Sequence, residues 1–188
     1  MIVGDPNTIA IETGITEAYE RLSLRALGFF VIYVRGRSYG VRQADATLLA
    51  CSYDQVNSRL TKRGQHVAPF AKESDAESIA QAVYRARYDS NPPEQLLGIA
   101  ISEFRSLLNS SGCVWAPDGD AAFDDGSYVL QFDVDERARV IAFKSNAERS
   151  VDRTTIRDVW IGSEEFYRLL FRWKEGFEAT WADALARR

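Results

Sequence analysis

The 188-residue chain carries one histidine, His66, two cysteines, Cys51 and Cys113, and no long apolar run. Histidine is the usual general base and the commonest metal ligand. A single one cannot build a histidine-rich zinc site, and neither cysteine stands near it in sequence. Cys51 and Cys113 are far apart and in no metal spacing, so buried free thiols are expected. His66 sits in Gly64-Gln65-His66-Val67-Ala68-Pro69 and reads as an ordinary surface or loop histidine. A Cys-His dyad formed across the fold is the competing reading. Glycine motifs are missing too: no GxGxxG follows a strand, and neither GxxxxGK[ST] nor GxSxG occurs. The longest apolar run, residues 27–34, is strand length and far below the ~18–20 residues of a membrane helix.

Near the start, Asp5 and Pro6 follow only two apolar residues, Ile2 and Val3. A secretory leader needs a basic segment and then a longer apolar one. A cytoplasmic protein is therefore expected. The net charge of −4, with arginines scattered among acids, argues against a nucleic-acid partner. The charge is uneven: residues 94–147 hold nine acids and four bases. Hydrophobic content of 46% and charged content of 27% are those of a globular protein. Pro92-Pro93 is the one candidate boundary, and its two sides look incomplete alone, so a single domain over residues 1–188 is expected.

The patterning predicts an α+β fold with a mainly antiparallel sheet and helices packed on it. Residues 8–12 read as a strand that Pro6 can precede. Residues 27–34 read as a central strand, apolar on both faces. Arg35-Gly36-Arg37-Ser38 reads as a turn into a return strand at Tyr39. Ser52 is expected to cap a helix that stops at Gly64. Ser74-Asp75-Ala76-Glu77 reads as a capping box for a helix to about Tyr88. Leu97, Ala100, Ile101, Phe104, Leu107 and Leu108 predict a third helix ending at Gly112. Residues 127–133 and 138–144 predict a hairpin, and residues 156–161 a further strand. Ser163 is expected to cap a long C-terminal helix with Phe166, Leu170, Trp173, Phe177 and Trp181 on one face. Those aromatic residues, and Trp160 before them, read as core.

Residues 118–126 hold four carboxylates, Asp118, Asp120, Asp124 and Asp125. They could bind Ca²⁺ or Mg²⁺, although the spacing misses the D-x-[DN]-x-[DN]-G loop. They could form a metal-dependent enzyme centre, which would need carboxylates from several elements and a basic partner. They could be a solvated turn, or a recognition surface for a basic partner. Trp115, beside them, would be a binding hot spot if its ring is exposed.

Several stretches together resemble the immunity protein 42 family of bacterial polymorphic toxin systems. They are Met1-Ile2-Val3-Gly4-Asp5-Pro6, Ile9-Ala10-Ile11, Gly28-Phe29-Phe30, the Gly36 turn leading to Tyr39, and Thr47-Leu48-Leu49. Asp125-Gly126-Ser127 before an apolar strand fits as well, as do Trp160 and the closing helix. The turn reads Arg35-Gly36-Arg37, where an Asn-Gly type is expected of the family. The resemblance implies a cytoplasmic inhibitor that binds the C-terminal domain of a cognate secreted toxin in interbacterial competition, contact-dependent or type VI. It implies no catalytic residue and no cofactor. Asp118, Asp120, Asp124, Asp125 and Trp115 are the candidate contacts. A metal-dependent enzyme built on the four aspartates and a non-toxin adaptor are the alternatives.

Overall fold

The computed structural model describes residues 1–117, 119 and 121–187. The first sheet is built from β1 (Ile2–Asp5), β2 (Ile9–Ala18), β3 (Ala26–Val34) and β4 (Arg37–Tyr39) in that order, with β5 (Thr47–Leu48) also paired to β3. All of its pairings are antiparallel. Helices α1 (Ala50–Thr61) and α2 (Ala76–Tyr88) follow, then a two-stranded ribbon of β6 (Gln95–Leu96) and β7 (Ile99–Ala100), then α3 (Ile101–Ser111). The second sheet has the order β11-β10-β9-β8, from β8 (Val114–Ala116), β9 (Ser127–Val134), β10 (Arg137–Ser145) and β11 (Val151–Gly162). Helix α4 (Ser163–Ala186) ends the chain's regular structure. The expected α+β class and antiparallel pairing are therefore present.

Alternation along β9 and β10 explains the layering. Val129 on β9, with Ala138, Val140 and Ala142 on β10, faces the first sheet, α1 and α4. Tyr128, Leu130, Phe132, Ile141 and Phe143 face α2 and α3 on the opposite side. The second sheet is thus buried on both faces, and each large side chain placed there contributes roughly 1.5–3 kcal/mol. In the first sheet Ile9 and Ile11 of β2 and Phe30, Ile32 and Val34 of β3 point inward to α4. Phe30 meets the Trp173 ring edge-on at 5.2 Å, and Trp173 stacks on Phe177 at 5.3 Å.

The β3–β4 turn ties the two sheets together. Arg35 and Gly36 both have positive φ, 48° and 79°, the requirement of a tight two-residue hairpin turn. An arginine in that conformation is costly, by about 1–3 kcal/mol. Its guanidinium in return donates to the Asp158 carbonyl of β11 at 3.1 Å. Arg37 donates to the Thr154 carbonyl at 3.3 Å, and Arg157 to those of Thr154 and Ile156 at 3.1 and 2.7 Å. The Tyr39 hydroxyl donates to the Thr155 carbonyl. Four carbonyls of β11, an outermost strand, those of Thr154, Thr155, Ile156 and Asp158, are in this way met by side chains.

Several expected boundaries shift for tertiary reasons. Ser52 does not cap α1; it lies buried inside the helix, whose start is set when Leu49 donates its N–H to Ala26 O at 2.7 Å. The cap of α2 is Asp75, one residue after the expected serine; its carboxylate accepts from the Ser78 N–H at 2.9 Å and the Ser78 hydroxyl at 2.7 Å. Leu97 belongs to the β6–β7 turn, with φ of 50°. Ser163 is helical, and Gly162 occupies the N-cap of α4 without a side-chain bond. Trp160 is only half-buried, with the Arg137 and Arg139 guanidiniums each 5.0 Å from its ring. It is a strand-edge platform and not core.

Candidate functional site

Asp118 and Asp120 lie outside the described residues. Beyond them a single 3-10 turn, Ala121–Phe123, buries Ala122 and Phe123. Ala122 O accepts the Val41 N–H at 2.8 Å, and the Phe123 ring meets Phe30 edge-on at 6.2 Å. This pins the turn at residues 121–123 to the first sheet. Asp124 then stands exposed and makes no ion pair with a described residue. Asp125 is half-buried: it accepts from Ser127 N at 3.2 Å and pairs with Lys144. Asp125 is therefore largely a turn-former with its charge met, whereas Asp124 offers its carboxylate to solvent.

Trp115 requires a correction. Its side chain is completely buried, against Phe30 at 6.5 Å and Phe166 at 6.4 Å, with the Arg59 guanidinium 4.8 Å over the ring. On a three-residue strand the sequence offers no periodicity to show which face the indole takes. It takes the face toward the main core, so no partner can touch it directly.

A polar cluster lies beside Trp115. Arg59 donates to Gln131 Oε1 at 2.8 Å, and Gln131 Nε2 donates to Asp133 Oδ1 at 3.0 Å. The Tyr167 hydroxyl donates to the same carboxylate at 2.8 Å. Asp133 Oδ2 accepts the His66 N–H at 3.1 Å, and His66 O accepts the Asp133 N–H at 2.7 Å. His66 lies in a loop, as expected, but is buried and not on the surface. Its Nδ1 lies 3.0 Å from Ser111 O. A carbonyl can only accept, so Nδ1 carries the proton and Nε2 the lone pair. Burial, and then the Arg59 charge, hold the imidazole below its ordinary pKa and so neutral. Burial pushes the Cys113 thiol up to about 11, so it is not a thiolate at neutral pH. Asp133 and Gln131 lock Tyr167 and Arg59 in place, and these groups act as an internal brace, although His66 Nε2 and the Trp115 indole N–H are buried without a hydrogen-bond partner among the described residues. The sequence signal was available: Gln131 interrupts the apolar alternation of β9, and Arg59 falls on the buried side of α1.

Among the described residues, no three histidine, cysteine or carboxylate side chains are grouped so as to hold a metal ion. No helix is long and apolar enough to cross a membrane.

Comparison with known proteins agrees with the fold. The crystal structure of CdiI from Burkholderia dolosa AUO158 matches over 100% of both chains, with a TM-score of 0.55 and 16% identity. At that identity the likeness concerns architecture alone. No curated protein matches. The family model described as Immunity protein 42 matches residues 1–176, nearly the whole chain. The chain belongs to the immunity protein 42 family.

Proposed function

We propose that the protein neutralises a cognate toxin by stoichiometric, non-covalent binding of the toxin's C-terminal domain in the cytoplasm, during interbacterial competition. It does so without catalysing a reaction itself. The observation that carries this reading is the family match over residues 1–176. The chemistry of the described residues accords with it. The lone histidine is neutral and buried, the Cys113 thiol is far from ionising, and Asp125 and Asp133 are engaged in structural bonds.

A stable complex of this kind buries about 1,200–2,000 Å² in total. The segment holding Asp118, Asp120, Asp124 and Asp125 is the proposed first contact. Asp124 is exposed, on a turn held rigidly by Phe123 and Asp125. Negative charge placed there speeds encounter with a basic toxin surface more than it deepens the final affinity. Trp115 has no place in this contact.

The test is co-expression with the toxin domain encoded beside this chain's gene, scored by host survival, together with mixing of the two purified proteins. Protection of the host and a complex of fixed stoichiometry are expected. Host death despite abundant folded protein, or substrate turnover by the purified chain alone, would overturn the reading.

A further inference from the structure

We propose that the groove between α2 and the tip of the β10–β11 hairpin is a second docking surface, and that it takes an acidic segment of the partner protein. A carboxylate seats against Arg149, and an apolar side chain beside it lies on Tyr84 and Tyr88. The inference rests on the protein-binding reading and adds to it a surface and a ligand chemistry.

The groove has a volume of about 730 Å³. Its walls are the C-terminal half of α2, with Tyr84, Arg85 and Tyr88, and the hairpin residues Arg149, Val151 and Arg153. Asp89 is the one acidic side chain among its lining residues, against three arginines, in a chain whose net charge is −4. Two of the three arginines have partners: Arg85 pairs with Asp89 at 3.4 Å, and Arg153 with Glu77 at 2.9 Å. Arg149 pairs with no described acid, and its charge acts on the Tyr84 phenol across the groove. It is the cation left over for an incoming group.

The tip fixes the backbone at Arg149, whose N–H donates to Asn146 O at 3.1 Å. Asn146 Oδ1 accepts from the Glu148 N–H at 3.1 Å and from the Ser150 N–H and hydroxyl at 3.0 Å. Arg149 itself has φ of 56°, a left-handed conformation that arginine does not favour. The apolar side is equally fixed. Tyr84 and Tyr88 lie 5.0 Å apart, and both meet the Tyr128 ring, at 5.6 and 6.1 Å. Tyr128 in turn stacks flat on Phe143 at 4.8 Å. Tyr88 and Arg149 are exposed while Tyr84 lines the groove from a buried position, and tyrosine and arginine are among the residue types that dominate binding hot spots.

The groove also adjoins the acidic turn. Ser145, where the hairpin leaves β10, donates its N–H to Gly126 O at 2.9 Å, and Lys144 pairs with Asp125. Asp124 and Arg149 therefore stand at the same end of the second sheet. One partner face can meet both, with its basic groups on Asp124 and its acidic segment on Arg149. Opposite charges placed side by side fix the orientation of docking and penalise wrong partners.

Two measurements test this. Short blocked peptides alternating Glu with Phe are titrated into isotope-labelled protein and followed by amide chemical shifts, with Gln-Phe peptides as the neutral control. Shifts at residues 84–90 and 149–151 are expected, with affinity about threefold or more lower for the neutral peptide and for Arg149→Gln. Separately, binding of the neighbouring toxin domain is compared for wild type, Arg149→Glu and Arg172→Glu, an exposed charge change on α4. Arg149→Glu should weaken binding about tenfold or more and the α4 variant little. Equal response to both peptides, or equal toxin binding by wild type and Arg149→Glu, overturns the proposal. If wild type binds the toxin domain and Arg149→Glu binds it equally, this surface falls and the immunity reading stands. If the Glu peptide fills the groove but wild type ignores the toxin domain, the reverse holds.

Discussion

The indole N–H of Trp173, on the C-terminal helix, donates to the hydroxyl of Thr13, on β2, at 2.8 Å across 160 residues of chain. Both side chains are buried. Thr13→Val keeps the shape and removes the acceptor. The unpaired indole should then cost about 1–3 kcal/mol, read from denaturant midpoints, and Thr13→Ser should recover most of the loss.

Arg139 is a buried cation with acceptors for most of its donors. It donates to the Ala71 and Ser74 carbonyls at 2.7 and 2.8 Å and pairs with Asp158 at 2.7 Å. Arg139→Met should destabilise by about 3–5 kcal/mol, because it strands two carbonyls and a carboxylate at once. Hydrogen exchange should quicken first in the segment before α2, which those carbonyls tether.

The neutral state of His66 gives a pH dependence. Its folded pKa lies below the unfolded value, so the unfolded chain takes up the proton more readily. The stabilisation is complete above about pH 6.5 and fades as the pH falls from there toward the lowered folded pKa. Glu12, Asp75 and Glu164 are shifted down by their partners and lose their contribution only in more acid solution. Because the chain has one histidine, melts at neutral pH and about pH 5.5 isolate it. The difference should shrink in His66→Gln even though that variant is less stable throughout.

Trp115→Ala should lower stability by about 3–5 kcal/mol. The folded fraction should still bind the toxin domain with wild-type affinity, since the ring is completely buried against core residues that include Phe30, Phe166 and Arg59. Calorimetry on protein held well below its melting temperature separates the two effects.

Asp124→Asn and Asp125→Asn should behave differently although the residues are adjacent. The first should slow association and flatten its salt dependence with no change in melting temperature. The second should also lower the melting temperature, because Asp125 holds Ser127 and Lys144. Stopped-flow association across a salt series, with thermal melts alongside, tests both.

Much of the architecture was legible because it is local. Residues 29–34 are aromatic and β-branched without a break, and β3 occupies Ala26–Val34. The stripe from Phe166 to Phe177 has helical spacing, and the core of α4 follows it. Gly28 reads from the sequence as part of a strand and of the family resemblance, with no reason for glycine there. Its reason is distant: an added Cβ would come within 1.9 Å of the Gly14 carbonyl on β2. The errors share that origin. The start of α1 depends on Ala26, the burial of His66 on Asp133, and the side taken by Trp115 on a strand too short to show alternation. At the candidate site the turn character of Asp125 was visible in its neighbours, but its pairing with Lys144 spans 19 residues and was not. The groove at Arg149 left no mark, because α2 and the hairpin tip are brought together only by the sheet between them.

The guanidinium groups that occupy the β11 carbonyls have a bearing on how anything can be captured. A foreign strand could lengthen the second sheet along that border only by evicting Arg35, Arg37 and Arg157. Recognition along this border has to be made by side chains and by the contour they present, and so depends on which residues stand there more than on the shared backbone plan.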